Sequence, residues 1–157
     1  MSIAEPPTLT PEQAHSLEEI GQTLIAREPD FSHLEQARIV YLWKRKGGNA
    51  KGHAKLGQCQ KPSGLLLHFA DCDFVVWLAA DHLRERQYTA KQIEAVVFHE
   101  LNHAGYEEDE ETGAGKYVIV GHDAEVFYSE ITRYGTYKED LQLLAGVFRQ
   151  LSLDEAR

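Results

Sequence analysis

Two apolar rhythms alternate along the chain, and each marks out its own elements. Residues 1–9 are polar and proline-rich and read as a disordered tail. Thr10-Pro11-Glu12-Gln13 then has the makings of a helix start, with Thr10 as N-cap, Pro11 in the first helical position and Gln13 closing a capping box. Leu17, Ile20, Leu24 and Ile25 fall on one face of a helix that runs to about Arg27 and ends before Pro29, and a short helix around Phe31–Gln36 follows. From there the rhythm changes. Ile39-Val40-Tyr41-Leu42-Trp43 has the β-branched and aromatic content of a strand, and Gly47-Gly48-Asn49-Ala50-Lys51-Gly52 is a turn. His53–Gln60 alternates weakly as a second strand, Pro62-Ser63-Gly64 turns again, and Leu65–Phe69 is a third candidate. Phe74-Val75-Val76-Trp77-Leu78 is apolar throughout, as in a strand covered on both faces, and Ala80–Arg86 leaves it as a short helix.

The helical rhythm returns at Thr89, which caps a helix with Gln92 three residues on. Ile93, Val97, Leu101 and Ala104 line one side of it, and Val96 and Phe98 widen that side. Glu107–Glu111 reads as a solvated acidic loop, because five like charges in a row repel one another, and it lacks the spaced oxygens and turn glycine of a calcium loop. Lys116–Val120 is a short strand. Gly121-His122 introduces a helix from Asp123 to about Tyr134, with Ala124, Phe127, Ile131 and Tyr134 as its buried stripe. A last helix, about Lys138–Leu151, carries Leu141, Leu144, Ala145, Phe148 and Leu151 at helical spacing. The pattern predicts one α+β domain over residues 1–157. Helices over 10–36 precede a core over 38–135, built on an antiparallel or mixed sheet of three or four strands, and a C-terminal helix over 136–152 follows.

Composition changes this picture little: 43% apolar and 26% charged residues are ordinary for a soluble globular protein. Cys59 and Cys72 are too few and too far apart for a zinc knuckle or a disulfide framework, so thiols in a reducing compartment are expected. The N-terminus has no basic patch followed by an apolar run, and no apolar stretch reaches membrane-spanning length, so a cytoplasmic protein with no membrane partner is expected. Charge is more informative. The net charge is −9, which argues against a generic nucleic-acid binder, yet no Asp or Glu occurs from Gln36 to Ala70. Arg38, Lys44, Arg45, Lys46, Lys51, Lys55 and Lys61 all fall in that stretch. Either they guard a sheet edge against pairing, or residues 38–61 form a contact surface for an acidic partner or a nucleic-acid backbone.

The chemistry gathers at Phe98-His99-Glu100-Leu101-Asn102-His103-Ala104, which contains His-Glu-x-x-His. Two imidazoles four residues apart on a helix face the same way and can grip one metal ion, and the Glu between them can take a proton from a metal-activated water. At 100° per residue from Ile93, His99 and His103 lie at about 240° and 280°, and Glu100 at about 340°, inside the apolar arc. A carboxylate there is costly unless a cation sits nearby. A catalytic zinc has three protein ligands and one open position. His122 is the leading candidate for the third, since imidazole suits zinc and no structural role accounts for it; Asp123 is the reserve, although a first helical turn explains its charge through the helix dipole. Glu125 falls opposite the buried stripe and is discounted. His15 and His33 read as exposed residues on the N-terminal helices, and His53, His68 and His82 as sheet or surface residues.

Phe98–Ala104 together with Gly121-His122-Asp123-Ala124-Glu125-Val126-Phe127 resembles the phage metallopeptidase family and, more distantly, the SprT-like zinc metallopeptidases. Asp73–Leu78 and Arg133-Tyr134-Gly135 are similar to the phage family as well, so the likeness spans about 38–135. It implies a zincin-like fold, with a small sheet packed on the active-site helix. It also implies one zinc ion held by His99, His103 and His122, and Glu100 as catalytic acid/base. This chain lacks the cysteine-based ribbon that SprT-like proteins often carry, and with Met1 its only methionine it has no Met-turn.

The expected activity is zinc-dependent hydrolysis of peptide bonds in a protein or peptide substrate, with Glu100 as general base. Arg133 and Tyr134 are candidates for supporting the oxyanion, although Tyr134 shares the apolar stripe and reads as core. Two alternatives stay open: a zinc amidase or deformylase-like hydrolase, and a metal-stabilised module that binds nucleic acid or protein without turnover.

Overall fold

The computed structural model describes residues 16–156, so the expected tail and Thr10 cap lie outside the described residues. The chain divides into two units, one ending at Val120 and one beginning at Gly121. The first unit mixes α-helices with small sheets and the described part of the second holds two α-helices, an α+β content along the chain.

In the first unit, Ser16 is extended and its hydroxyl accepts from Glu19 N–H, capping a helix, α1 (Leu17–Arg27), that ends at Arg27 as expected. Its inward face is Leu17, Gly21 and Leu24. Pro29–Leu34 follows as a 3-10 helix with Phe31 and Leu34 buried. The sheet has three strands in the order β1 (Ile39–Lys44), β5 (Phe74–Ala79), β4 (Gly57–Gln60). It is mixed: β1 runs parallel to β5 with Ile39 opposite Phe74, and β4 runs antiparallel with Gly57 opposite Leu78. Being central, β5 is covered on both faces, as its unbroken apolar run predicts. The starts of β1 and β5 are tied by Arg38 N–H donating to the Asp73 carboxylate at 2.8 Å and by an Arg38–Asp71 ion pair.

The second expected strand, His53–Gln60, is split. Its first two residues form β3 (His53–Ala54), which pairs with β2 (Asn49–Ala50) in a separate two-stranded ribbon, and its end forms β4. Leu65–Phe69 corrects the expectation of a third strand: Leu66–Phe69 is one helical turn, α2. The stretch has no β-branched residue, and its backbone is satisfied locally, with Leu67 N–H on Gly64 and His68 N–H on Leu65. Helix α3 (Ala80–Glu85) leaves β5 as expected.

The next helix, α4 (Ala90–Asn102), opens with the predicted Thr89/Gln92 capping box. Ile93, Val96, Val97 and Leu101 are buried against β4, β5 and α1, while Phe98 is half exposed and meets the Phe31 ring at 5.2 Å. Fully burying each such side chain contributes roughly 1.5–3 kcal/mol. The helix stops earlier than its apolar spacing suggests. His103 is its C-cap, and Ala104 is buried as the first residue of β6 (Ala104–Glu108). Glu107 and Glu108, expected in a loop, belong to that strand, which forms a hairpin with β7 (Gly115–Ile119). The tip is not merely solvated charge, because the Asp109 carboxylate accepts from the N–H groups of Glu111 and Thr112 and shapes the turn.

In the second unit the predicted helix start at Asp123 is wrong. The helix α5 spans Tyr128–Tyr134, because Glu130 reaches back to accept the Phe127 N–H at 3.0 Å and caps there instead. Phe127 and Tyr134, expected in a buried stripe, are exposed. The last helix, α6 (Glu139–Glu155), is one turn longer than expected, with Leu141 its buried residue.

Candidate metal centre

The backbone around α4 explains how two distant parts of the chain meet. His99 and His103 are four residues apart, and His103 keeps helical dihedrals (φ −75°, ψ −17°) although the helix ends there. Their rings therefore share a side of α4, with centroids 5.2 Å apart. The β6–β7 hairpin then returns the chain to its starting point. Val120 N–H donates to the His103 carbonyl at 2.8 Å, extending the ladder by one rung past β7. The Val120 carbonyl in turn lies 2.5 Å from His103 Nδ1. A carbonyl can only accept, so Nδ1 carries the proton and Nε2 is the nitrogen with the lone pair. His122 follows Val120 by two residues, a span of at most about 7 Å of extended chain. Ring nitrogens of His99, His103 and His122 all lie within 4.8 Å of one another, an arrangement that could hold a metal ion. His122 is thus brought in by hairpin closure, not by standing at a helix start as its sequence context suggests.

Glu100 is the buried charged residue of the first unit's core, at 6% exposure, where the helical wheel puts it. Its seat is β4. The carboxylate accepts the Cys59 backbone N–H, and Gly57 lies so close that a Cβ there would be 3.2 Å from Glu100 Oε1. In the β4–β5 register Gly57 and Cys59 turn their N–H groups to the free edge of the sheet, and Glu100 fills that edge from the side of α4. Burial pushes the Glu100 carboxyl above the ordinary carboxylate range, against the pull of His103, the Cys59 N–H and Lys55. Burial likewise pushes the Cys59 thiol up to about 12, with the Glu100 charge adding to it.

Sequence reasoning missed this support: Gly57, the Cys59 N–H, the Val120 carbonyl, and His33, whose Nε2 bonds the Ala104 carbonyl at 2.7 Å just past the metal helix. A glycine inside a strand pattern was the available signal, since it often marks close approach by another group. Of the other predicted site residues, Asp123 is exposed beside His122, and Arg133 and Tyr134 are exposed on α5, where Tyr134 meets the Tyr137 ring.

A buried carboxylate between two histidines, with a third imidazole brought in after a hairpin, is an arrangement compatible with a bound metal ion. The chain belongs to the family described as "Putative phage metallopeptidase", which matches residues 10–149. Comparison with curated proteins and with solved structures finds no match. Among the described residues no helix is long and apolar enough to cross a membrane.

Proposed function

We propose that the protein is a zinc-dependent peptidase of zincin-like architecture, with His99, His103 and His122 as ligands of one zinc ion. The observation that carries this reading is the convergence of three imidazole nitrogens within 4.8 Å beside a buried carboxylate. The donor set fits zinc: His99, His103 and His122 would hold it through imidazole nitrogens, which zinc accepts, and His103 is oriented by the Val120 carbonyl, as ligating histidines are. Zinc so held supplies a Lewis acid that acidifies water and polarises a carbonyl. Glu100 takes the proton of the attacking water and passes it to the leaving amine. The Cys59 N–H holds one carboxylate oxygen in place, and burial raises the carboxyl above the ordinary carboxylate range, which makes it a stronger base than a solvated one. Asp123 is the reserve ligand or a support to His122, and Arg133 and Tyr134 are the residues to test for oxyanion stabilisation.

The test joins metal content to turnover. Glu100→Gln should retain zinc at one ion per chain and lose activity on a broad peptide digest by roughly 10²–10⁴-fold. His122→Ala should lose zinc, and Asp123→Ala should keep it. Full activity in Glu100→Gln refutes the mechanism, and unchanged zinc in His122→Ala refutes the third ligand. Cleavage of small amides but of no peptide would move the enzyme to the amidases.

A further inference from the structure

The cations of the acid-free stretch separate into two groups in the structure. Arg38 is paired with Asp71, and Lys61 donates to the Tyr117 carbonyl. Lys44, Arg45, Lys46, Lys51 and Lys55 lie at the end of β1 and along the β2–β3 ribbon, and none forms an ion pair with a described carboxylate. The sheet edges are β1 and β4, and of these five cations only Lys44 stands in either, so edge protection leaves four unexplained.

Arg45, Lys46 and Lys51 are exposed, and Lys44 and Lys55 are half-buried beside them. Gly47 N–H and His82 N–H both donate to the Asp81 carboxylate, which pins the ribbon's root and engages the acid nearest to it. Lys44 and Lys55 place their ammoniums over the Trp77 ring, 4.4 and 5.6 Å from its centroid and hence within 10 Å of each other, and Lys55 also donates to Gln58 Oε1 at 2.9 Å. Lys51 and Gly52 form the tip with φ 51° and 82°, a two-residue turn left-handed at both positions. The first of those positions favours Asn or Asp, so the chain carries a lysine where backbone sterics disfavour one.

We propose that this ribbon binds the phosphate backbone of duplex DNA. A two-stranded ribbon is of a size the major groove admits, and several cations close together without a described carboxylate partner suit a phosphate backbone. Between Lys44 and Lys55 there is no Phe, Tyr or Trp, and the single ring of His53 does not make the run of stacking platforms that a single strand uses. The only aliphatic side chains there are Ala50 and Ala54, too small to anchor an acidic peptide. The site does not depend on the metal or on turnover.

The test titrates the full chain into a labelled duplex of about 20 base pairs, followed by fluorescence anisotropy from about 50 to 200 mM salt. With four phosphates neutralised, affinity should fall roughly 10²-fold across that range. Lys51→Asn, which suits the turn better, should flatten the log–log salt slope by about 1, and Arg45→Gln with Lys46→Gln by about 2. Circular dichroism checks that each variant is folded; if one is not, the other still decides. The proposal is overturned by no binding at the lowest salt or by slopes unchanged in all variants. It is equally overturned if polyglutamate at matched charge binds more tightly than the duplex.

Discussion

One methyl group at Gly57 probes the seat of Glu100. An added Cβ would lie 2.8 Å from the Trp77 carbonyl oxygen, 3.2 Å from Glu100 Oε1 and 3.3 Å from Glu100 Cγ. The first contact is too close for carbon and oxygen, and that oxygen belongs to the backbone of β5, which is bonded on both sides and cannot yield cheaply. Relief has to come from β4 moving outward or from Glu100 moving off its strand by a few tenths of an ångström. Overpacking of this kind costs about 1–3 kcal/mol. For a chain of this size that corresponds to a fall in Tm of roughly 2–12 °C. A carboxylate displaced by a few tenths of an ångström should lose about 3–10-fold in kcat, given that a full ångström costs about 10²-fold. Zinc content should not change, because His99 and His103 stand on α4 and its cap rather than on β4. Thermal melts by circular dichroism, metal analysis, and turnover measured well below Tm read the three quantities separately. A Gly57→Ala variant with wild-type Tm and kcat would refute the clamp between β4 and Glu100. Loss of zinc would show instead that β4 supports the ligands.

Two further outcomes test the packing around this site. The Tyr41 hydroxyl is buried with no hydrogen-bond partner among the described residues, and Tyr41 packs so tightly on α1 that a Cβ at Gly21 would meet the hydroxyl. Tyr41→Phe should therefore raise stability by about 1 kcal/mol in urea titrations, and a loss of similar size would mean that the hydroxyl has a partner. With its thiol pushed up to about 12, Cys59 should have only about 10⁻⁴ of its population as thiolate at pH 8. Iodoacetamide followed by mass spectrometry should label the less buried Cys72 at least about 10²-fold faster, and equal rates would refute the burial of Cys59 under Glu100.

The parts of the site that were legible in the sequence are those whose cause is local. His99 and His103 share a side of α4 because of helical periodicity, and Glu100 is buried because that same periodicity turns it into the apolar arc. The Thr89/Gln92 cap and the unbroken apolar run of β5 were readable for the same reason. Leu65–Phe69 was misread because a short apolar run has no periodicity to separate strand from helix. Phe127 marks a different failure: Glu130, three residues inside the helix, chose the cap, and Asp123 looked just as suitable from composition alone.

What the sequence concealed was pairing across distance. The Cys59 N–H that holds Glu100 lies about forty residues upstream, and it is available only because β4 is an edge strand in one particular register. Had β4 slipped by one residue, Leu56 or Gln58 would stand where Gly57 does, and its side chain would crowd Glu100. His122 shows the converse. Its residue type pointed to the site, but the helix expected right after it is not what puts it there. The position follows from the β6–β7 register, in which Ala104 faces Ile119 and the next rung joins His103 to Val120. The two residues after that rung can reach little else. The spacing between the metal helix and its third histidine is therefore a hairpin length, and an insertion at the tip near Asp109 should leave the site intact. A one-residue insertion within β7 would shift Val120 off His103 and turn its neighbours to the other face.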